Sequence, residues 1–182
     1  MFVSNFRIGY QSHTVLIVKI RTTTPRDLDA IVEVFLACWN ISYKDLLPQS
    51  VRAEMSVEIA KNMWQGAVEP HPQRTTLVAE FQGAVVGVAR IGIDPNDGVS
   101  GHLFSLYVHP DFSGRGIGRT LLIEAMTQLR TQGFSRRTLW VFRDNVHAQK
   151  LYTSIGFIPT NTEKIDPRWQ IPEIEMALTS EL

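Results

Sequence analysis

The chain has 182 residues, 44% of them apolar and 20% charged, with 18 basic side chains matched by 18 acidic ones. Such a length and composition support a single globular domain with a sizeable buried core. The balanced charge and the lack of a dense Lys and Arg run give no sign of a nucleic-acid partner. The lone Cys38 rules out an internal disulfide and argues against a cysteine zinc site, so no metal is expected. It lies in the apolar run 31–39, where a buried thiol is the expected state rather than a nucleophile. No apolar run approaches the roughly 20 residues that span a bilayer. The N-terminus lacks the charged start, apolar centre and cleavage site of a signal peptide. A soluble cytoplasmic protein without a membrane partner is therefore expected.

Residues 1–14 show no clear period and read as an N-terminal arm, ahead of one domain over 15–182. Residues 14–21 are rich in β-branched side chains and read as a first strand. Thr24-Pro25-Arg26-Asp27 has the chemistry of a helix start: a capping hydroxyl, a proline for the first turn and an acid at the positive dipole end. Leu28, Ile31, Val32, Phe35 and Leu36 then share one helical face. Further helices are expected from Pro48 and over 57–64. Strands at 75–81 and 84–93 flank Gln82-Gly83, which has the size of a hairpin turn. A loop at 94–98 leads to a fourth strand at 102–108. A helix over 116–131 turns Leu121, Leu122, Ala125 and Leu129 inward. A fifth strand at 137–142 precedes a helix capped by Asn145 and closed by Gly156, and short strands at 157–159 and 174–178 finish the chain. Strands alternating with helices around a central meander predict an α/β protein of α+β type, a mixed sheet covered by helices.

The fourth strand runs through Pro110 into Ser113-Gly114-Arg115-Gly116-Ile117-Gly118 and then a helix. A strand, a glycine turn and a helix start together aim free amides and a helix dipole at an anion. Side chains there would hold a phosphate away from the backbone. A purely structural turn remains an alternative on this segment alone. Two rival phosphate motifs fail. No Gly-Lys-Ser/Thr ending marks a P-loop, and the dinucleotide fingerprint needs a glycine where Arg119 stands.

A second signature follows, Asn145-Val146-His147-Ala148-Gln149-Lys150-Leu151-Tyr152, ending at Gly156-Phe157. With it, residues 103–157 resemble the GCN5-related N-acetyltransferase superfamily. The first motif of that superfamily has the form Gln/Arg-x-x-Gly-x-Gly/Ala, and its second reads Asn-x-x-Ala-x-x-Leu-Tyr-x-x-x-Gly-Phe. Every named position of the second is met, by Asn145, Ala148, Leu151, Tyr152, Gly156 and Phe157. The first motif departs at its opening position, where Ser113 offers a shorter side chain. The resemblance implies a single-domain fold with a V-splayed, mostly antiparallel sheet flanked by helices. Acetyl-CoA would enter between the fourth and fifth strands. Backbone groups of Leu106, Tyr107 and Val108 would then pair with pantetheine. Amides of Gly114, Arg115, Gly116, Ile117, Gly118 and Arg119 would cradle the pyrophosphate. Asn145 would contact the cofactor arm, and Tyr152 would sit near its sulfur.

Acyl transfer needs a neutral amine, a stabiliser for the developing oxyanion and a route for releasing the thiol. A strand amide near Val108 suits the carbonyl oxygen. A thiol titrates near 8.5 and a phenol near 10, so Tyr152 can stay protonated and donate to the departing sulfur. Its alternative is a core aromatic with its hydroxyl at the surface. For the base, some relatives carry an acid on the fifth strand, but Trp140 stands there. His102, Asp97 and Glu80 are candidates, as is a chain of waters, whereas His109 and Asp111 more naturally cap or rim the glycine turn.

The acceptor of such an enzyme would meet the segment 39–48. Trp39, Tyr43, Trp64, Trp140 and Trp169 could wall an aromatic pocket for an apolar or cationic amine, and helix packing is the plain alternative. Glu33, Asp45 and Glu54 could attract a cation. The expected function is transfer of an acetyl group from acetyl-CoA to a primary amine of a small molecule or peptide. A noncatalytic acyl-CoA sensor, which would not need Tyr152, and an acyltransferase using a longer acyl chain are the alternatives. The resemblance also leaves a homodimer open.

Overall fold

The computed structural model describes residues 3–11 and 14–179. Eight strands form one sheet: β1 (Val3–Gln11), β2 (Thr14–Thr22), β3 (Arg74–Phe81), β4 (Ala84–Ile93), β5 (Gly101–Val108), β6 (Arg137–Phe142), β7 (Ile158–Ile165) and β8 (Pro172–Leu178). Their spatial order is β1-β2-β3-β4-β5-β6-β8-β7, and every neighbouring pair is antiparallel except β5 and β6. The predicted mixed, mostly antiparallel sheet is therefore present. None of the described helices is long and apolar enough to cross a membrane.

The helices are α1 (Leu28–Ala37), α2 (Gln49–Ala53), α3 (Val57–Trp64), α4 (Ile117–Thr131) and α5 (Val146–Thr153). On one face of the sheet, α4 buries Leu121, Leu122, Ala125 and Leu129 in a core shared with Leu77, Ile91 and Leu139. On the other, α1 and α3 bury Phe35, Ala60 and Trp64 over Val78 and Val88. Covered on both faces, β3 and β4 read as runs of buried residues rather than as an alternation.

The expected N-terminal arm departs from this outcome. Residues 3–11 form β1, paired with β2 from Val3 opposite Arg21 to Gln11 opposite Thr14. Phe6 is the one side chain of β1, among the described residues, that packs against the main core. The alternation of Phe6, Ile8 and Tyr10 with Arg7, Gly9 and Gln11 is the strand signal in this stretch. Residues 1, 2, 12 and 13 lie outside the described residues. The helix expected from Thr24 begins instead as a single 3-10 turn, Pro25–Asp27, before α1. There Asp27 is clamped by Arg21, at 2.8 and 2.9 Å. The strand expected at 157–159 extends to Ile165.

The feature that shapes the site is the junction of β5 and β6, the predicted fourth and fifth strands. They pair at Gly101 with Arg137, His102 with Thr138, and Leu103 with Leu139, and then part. The split coincides with an irregularity in β5. Arg90 faces Ser105 and Ile91 faces Leu103, leaving Phe104 as an extra residue that bends the strand. A buried polar clamp closes the base of the V. The Thr138 hydroxyl donates to Asp94 Oδ2 at 2.6 Å, and His102 Nδ1 lies 2.7 Å from the same hydroxyl oxygen. Since that hydroxyl has one proton to give, Nδ1–H of a neutral His102 is the donor to it. Burial lowers the His102 pKa and keeps the ring neutral.

Replacing Thr138 with Val keeps the shape but strips both buried partners of their hydroxyl. Urea unfolding of T138V is expected to show a loss of about 1–3 kcal/mol. An unchanged midpoint would mean that the clamp does not hold the junction.

Candidate active site

The glycine turn sits at the mouth of the V. Gly114 and Gly116 have φ of 74° and 81°, and a Cβ on either would project into open space. The positive φ favours glycine at both positions, and the absence of side chains there leaves the turn's backbone bare. Gly116 caps α4, whose first-turn amides at Ile117, Gly118 and Arg119 have no partner within the helix. The Gly116 carbonyl is occupied by Thr120 N and Thr120 Oγ1, each at 3.0 Å. Gly118 plays a packing part: a Cβ there would lie 3.5 Å from Val108 Cγ2 and 3.6 Å from Leu151 Cδ2. Arg115 folds back over the Phe112 ring at 5.4 Å, so it rims the turn.

Between β5 and β6 the backbone is free on one edge. His109 N donates to Val86 O on β4, and the period-two alternation of a strand sends Tyr107 the same way. Leu106 and Val108 then point their peptide groups into the V. The Val108 carbonyl there accepts a hydrogen bond from Cys38 Sγ at 3.1 Å. Of the three expected backbone contacts, two thus face the gap, and Tyr107 offers its ring instead. Cys38 is buried, and burial pushes its thiol up to about 11, against a nucleophilic role.

Across the V, Asn145 caps α5 through Oδ1, which accepts from Ala148 N at 3.1 Å, and the residue also lines the cavity. Tyr152 lies about two turns further and is buried at 7% exposure. Burial, reinforced by Tyr107, pushes its phenol well above the ordinary value, so the hydroxyl stays protonated.

A cavity of about 900 Å³ joins these parts to a second chamber on the α1 and α3 side. Helix α1 runs into a π-helical turn, Cys38–Ser42, closed by Tyr43 N to Cys38 O at 3.0 Å. This turn sets Trp39 against Trp169 (ring centroids 4.8 Å) and Tyr43 against Phe142 (5.6 Å). All five expected pocket aromatics, Trp39, Tyr43, Trp64, Trp140 and Trp169, line the cavity. Tyr107 stands edge-on to Phe35 and Trp64, and burial raises its phenol to about 12.

The expected bases do not reach this chamber. His102 is locked in the clamp at the base of the V. Asp97 is held by Ser100 and Arg136 in a loop, its pKa lowered to about 2, first by the Ser100 hydroxyl. Glu80 pairs with Arg21 at 3.0 Å. His109 Nδ1 accepts from Asp111 N at 3.3 Å, as the capping role required. Glu33, Asp45 and Glu54 are likewise absent from the lining. The carboxylate that does line the cavity is Glu173 on β8, opposite Phe142 of β6. It is 8% exposed and 3.5 Å from Lys164 Nζ, and burial raises its pKa. Arg90 and Arg168 line the same chamber. No group of three or more potential metal-ligating side chains occurs among the described residues.

Comparison with known proteins accords with this geometry. The profile of the Acetyltransferase (GNAT) family matches residues 28–157, well over half of the chain. A mycothiol acetyltransferase from Frankia casuarinae is 31% identical over 108 residues, covering 54% of this chain. The chain matches only 31% of that relative's length. Among solved structures, the PaiA N-acetyltransferase of Thermoplasma acidophilum, in complex with coenzyme A, is similar with a TM-score of 0.70 at 23% identity. That match covers 90% of this chain and 99% of the other. YncA of Salmonella typhimurium, with acetyl-CoA, gives 0.64 at 20% identity over 89% of this chain and 93% of the other. The glycine turn, the parted strands and the profile match converge: the chain belongs to the GNAT family of acetyltransferases.

Proposed function

We propose that this protein transfers the acetyl group of acetyl-CoA to a primary amine of a small molecule or peptide, by direct attack, with Tyr152 as general acid. The observation that carries this reading is the free edge of β5. Leu106, and Val108 through its amide, face a cavity that has the glycine turn at one end and Tyr152 across from it, while the Val108 carbonyl is held by Cys38. A linear chain of amides ending in a thioester, with a pyrophosphate at its far end, matches that sequence of donors and acceptors. The Leu106 and Val108 groups would take pantetheine, and the bare amides at Gly114 to Arg119 the pyrophosphate. The Asn145 amide nitrogen is left over from capping for the cofactor arm.

The chemistry then balances with residues on hand. A primary amine arrives as an ammonium ion and gives one proton to Glu173. The neutral nitrogen attacks the thioester carbon, and the carbonyl oxygen gathers charge beside the Val108 amide. As the carbon–sulfur bond breaks, Tyr152 donates to the sulfur and recovers the proton that the new amide nitrogen sheds. A phenol so far above the thiol in pKa contributes while charge builds on sulfur, not after the thiolate is free. Glu173 acts as a base only when ionised. Burial raises its pKa, Asp166 adds to the rise, and Lys164 and Arg168 oppose it.

Coenzyme A release measured over a panel of primary amines, amino acids, polyamines and short peptides tests the reading. Release dependent on an acceptor supports it, whereas no release with any acceptor, from protein that binds acetyl-CoA, favours a sensor. Y152F is expected to lower kcat by about 100-fold while sparing acetyl-CoA affinity; full turnover would remove Tyr152 as the acid. E173Q is expected to lower kcat/KM about 100-fold. It should also abolish an acid limb that lies above the ordinary glutamate value of about 4.3. An identical pH profile in the variant would dismiss Glu173. G116V, in a backbone conformation that side chains rarely adopt, is expected to weaken acetyl-CoA binding at least ~10-fold, and intact affinity would count against the pyrophosphate cradle.

A further inference from the structure

The second chamber is rich in donors that nothing in the protein satisfies. Arg90 Nε, Trp64 Nε1 and Trp140 Nε1 are buried without hydrogen-bond partners, and all three residues line the cavity. Among the described residues the Arg90 guanidinium makes one long bond, Nη2 to Gly66 O at 3.4 Å, and no ion pair with a carboxylate. The charge that acts on it is another cation, Arg74, whose guanidinium lies 4.9 Å over the Phe104 ring. Arg90 is half-buried, but its Nε–H is fully buried and unmet beside a like charge, a cost that an anion placed against it offsets. An indole offers a donor and no acceptor, so the two tryptophans point to the same demand.

The position of Arg90 separates this demand from the cofactor. Arg90 reaches the α3 side of the sheet, where Gly66 lies, whereas the glycine turn opens α4 on the opposite face. From Arg90, opposite Ser105, the reacting end of the cavity at Val108 is three residues along β5, roughly 10 Å. A ligand reaching from one to the other carries its anion several bonds away from its reacting nitrogen.

We infer that the acceptor is an amine bearing a carboxylate, and that Arg90 holds the carboxylate in its planar fork while the amine faces Val108 and Glu173. The inference rests on the acetyl-transfer reading and names the substrate class for that site. The planar, two-oxygen anion matches one guanidinium, and the unmet indole N–H groups lie in the same chamber. Arg90 is the specificity residue of the site. Amines without a carboxylate leave its Nε unpaired, which is a penalty and not merely a missing gain.

The test pairs each carboxylate amine with its primary amide, across α-amino acids, ω-amino acids and dipeptides. Binding to the coenzyme A-saturated protein is followed by calorimetry, and turnover by thiol release. The wild-type protein is expected to favour the carboxylate over the amide at least ~10-fold, chiefly in Kd and KM. R90Q should bring the carboxylate form down to the level of its amide, and R90K should restore part of the preference. Thermal melting of both variants controls for folding. Equal affinity for carboxylate and amide in the wild type, a preference that survives in R90Q, or binding of no carboxylate amine in the panel would overturn the inference. Arg90-dependent binding without thiol release would instead uphold the carboxylate site and refute acetyl transfer, so the two failures are distinct.

Discussion

Everything in this molecule that can hold a cofactor depends on a strand left half-paired. β5 is bonded to β4 along its length, but to β6 only as far as Leu103. Beyond that point its free edge would be a liability in an ordinary sheet, because buried peptide groups without partners cost roughly the price of a lost hydrogen bond each. The fold keeps the edge open by holding the two strands together at one end and wedging them apart at the other. At the closed end the Asp94–Thr138–His102 clamp is fully internal. At the open end Tyr43, Tyr107 and Phe142 fill the gap with rings, and Cys38 satisfies the Val108 carbonyl.

The same rings set the electrostatics. A chamber walled by aromatic side chains disfavours charge, which raises the phenols of Tyr107 and Tyr152 and the carboxyl of Glu173 together. Tyr152 therefore remains a donor, while Glu173 is brought closer to the range in which it can take a proton from an amine. The proposed acid and base would so draw their opposite roles from one low-dielectric pocket. Arg90 stands in the same surroundings with its charge fixed, and answers burial by needing an anion rather than by titrating.

Much of this was legible in the chain because it is local. The glycine turn, the Asn145 cap and Tyr152 lie within about 40 residues, each defined by near neighbours whose spacing is set by a turn or a helix. The residues that escaped notice are placed by distant partners. His102 reads as a candidate base on a strand end, yet it is buried through Thr138, 36 residues away, which in turn binds Asp94, 44 residues away. Glu173 is one acid among 18, in a strand with no motif. Only the insertion of β8 between β6 and β7 brings it beside Phe142. Arg90 likewise belongs to no motif, and its place is set by Gly66 in the turn after α3, 24 residues away. β1 carries a short alternation, Phe6, Ile8 and Tyr10, but Gly9 within it weakens the strand signal and its partner β2 is what fixes the pairing.

Amide hydrogen exchange, resolved residue by residue with and without acetyl-CoA, tests most directly whether the free edge of β5 is the cofactor site. Strong new protection at Leu106 and Val108 and along 114–119, with little change at Tyr107 because β4 already holds its amide, is the predicted result. Saturating acetyl-CoA that leaves Leu106 and Val108 exchanging at their free rates would contradict the account.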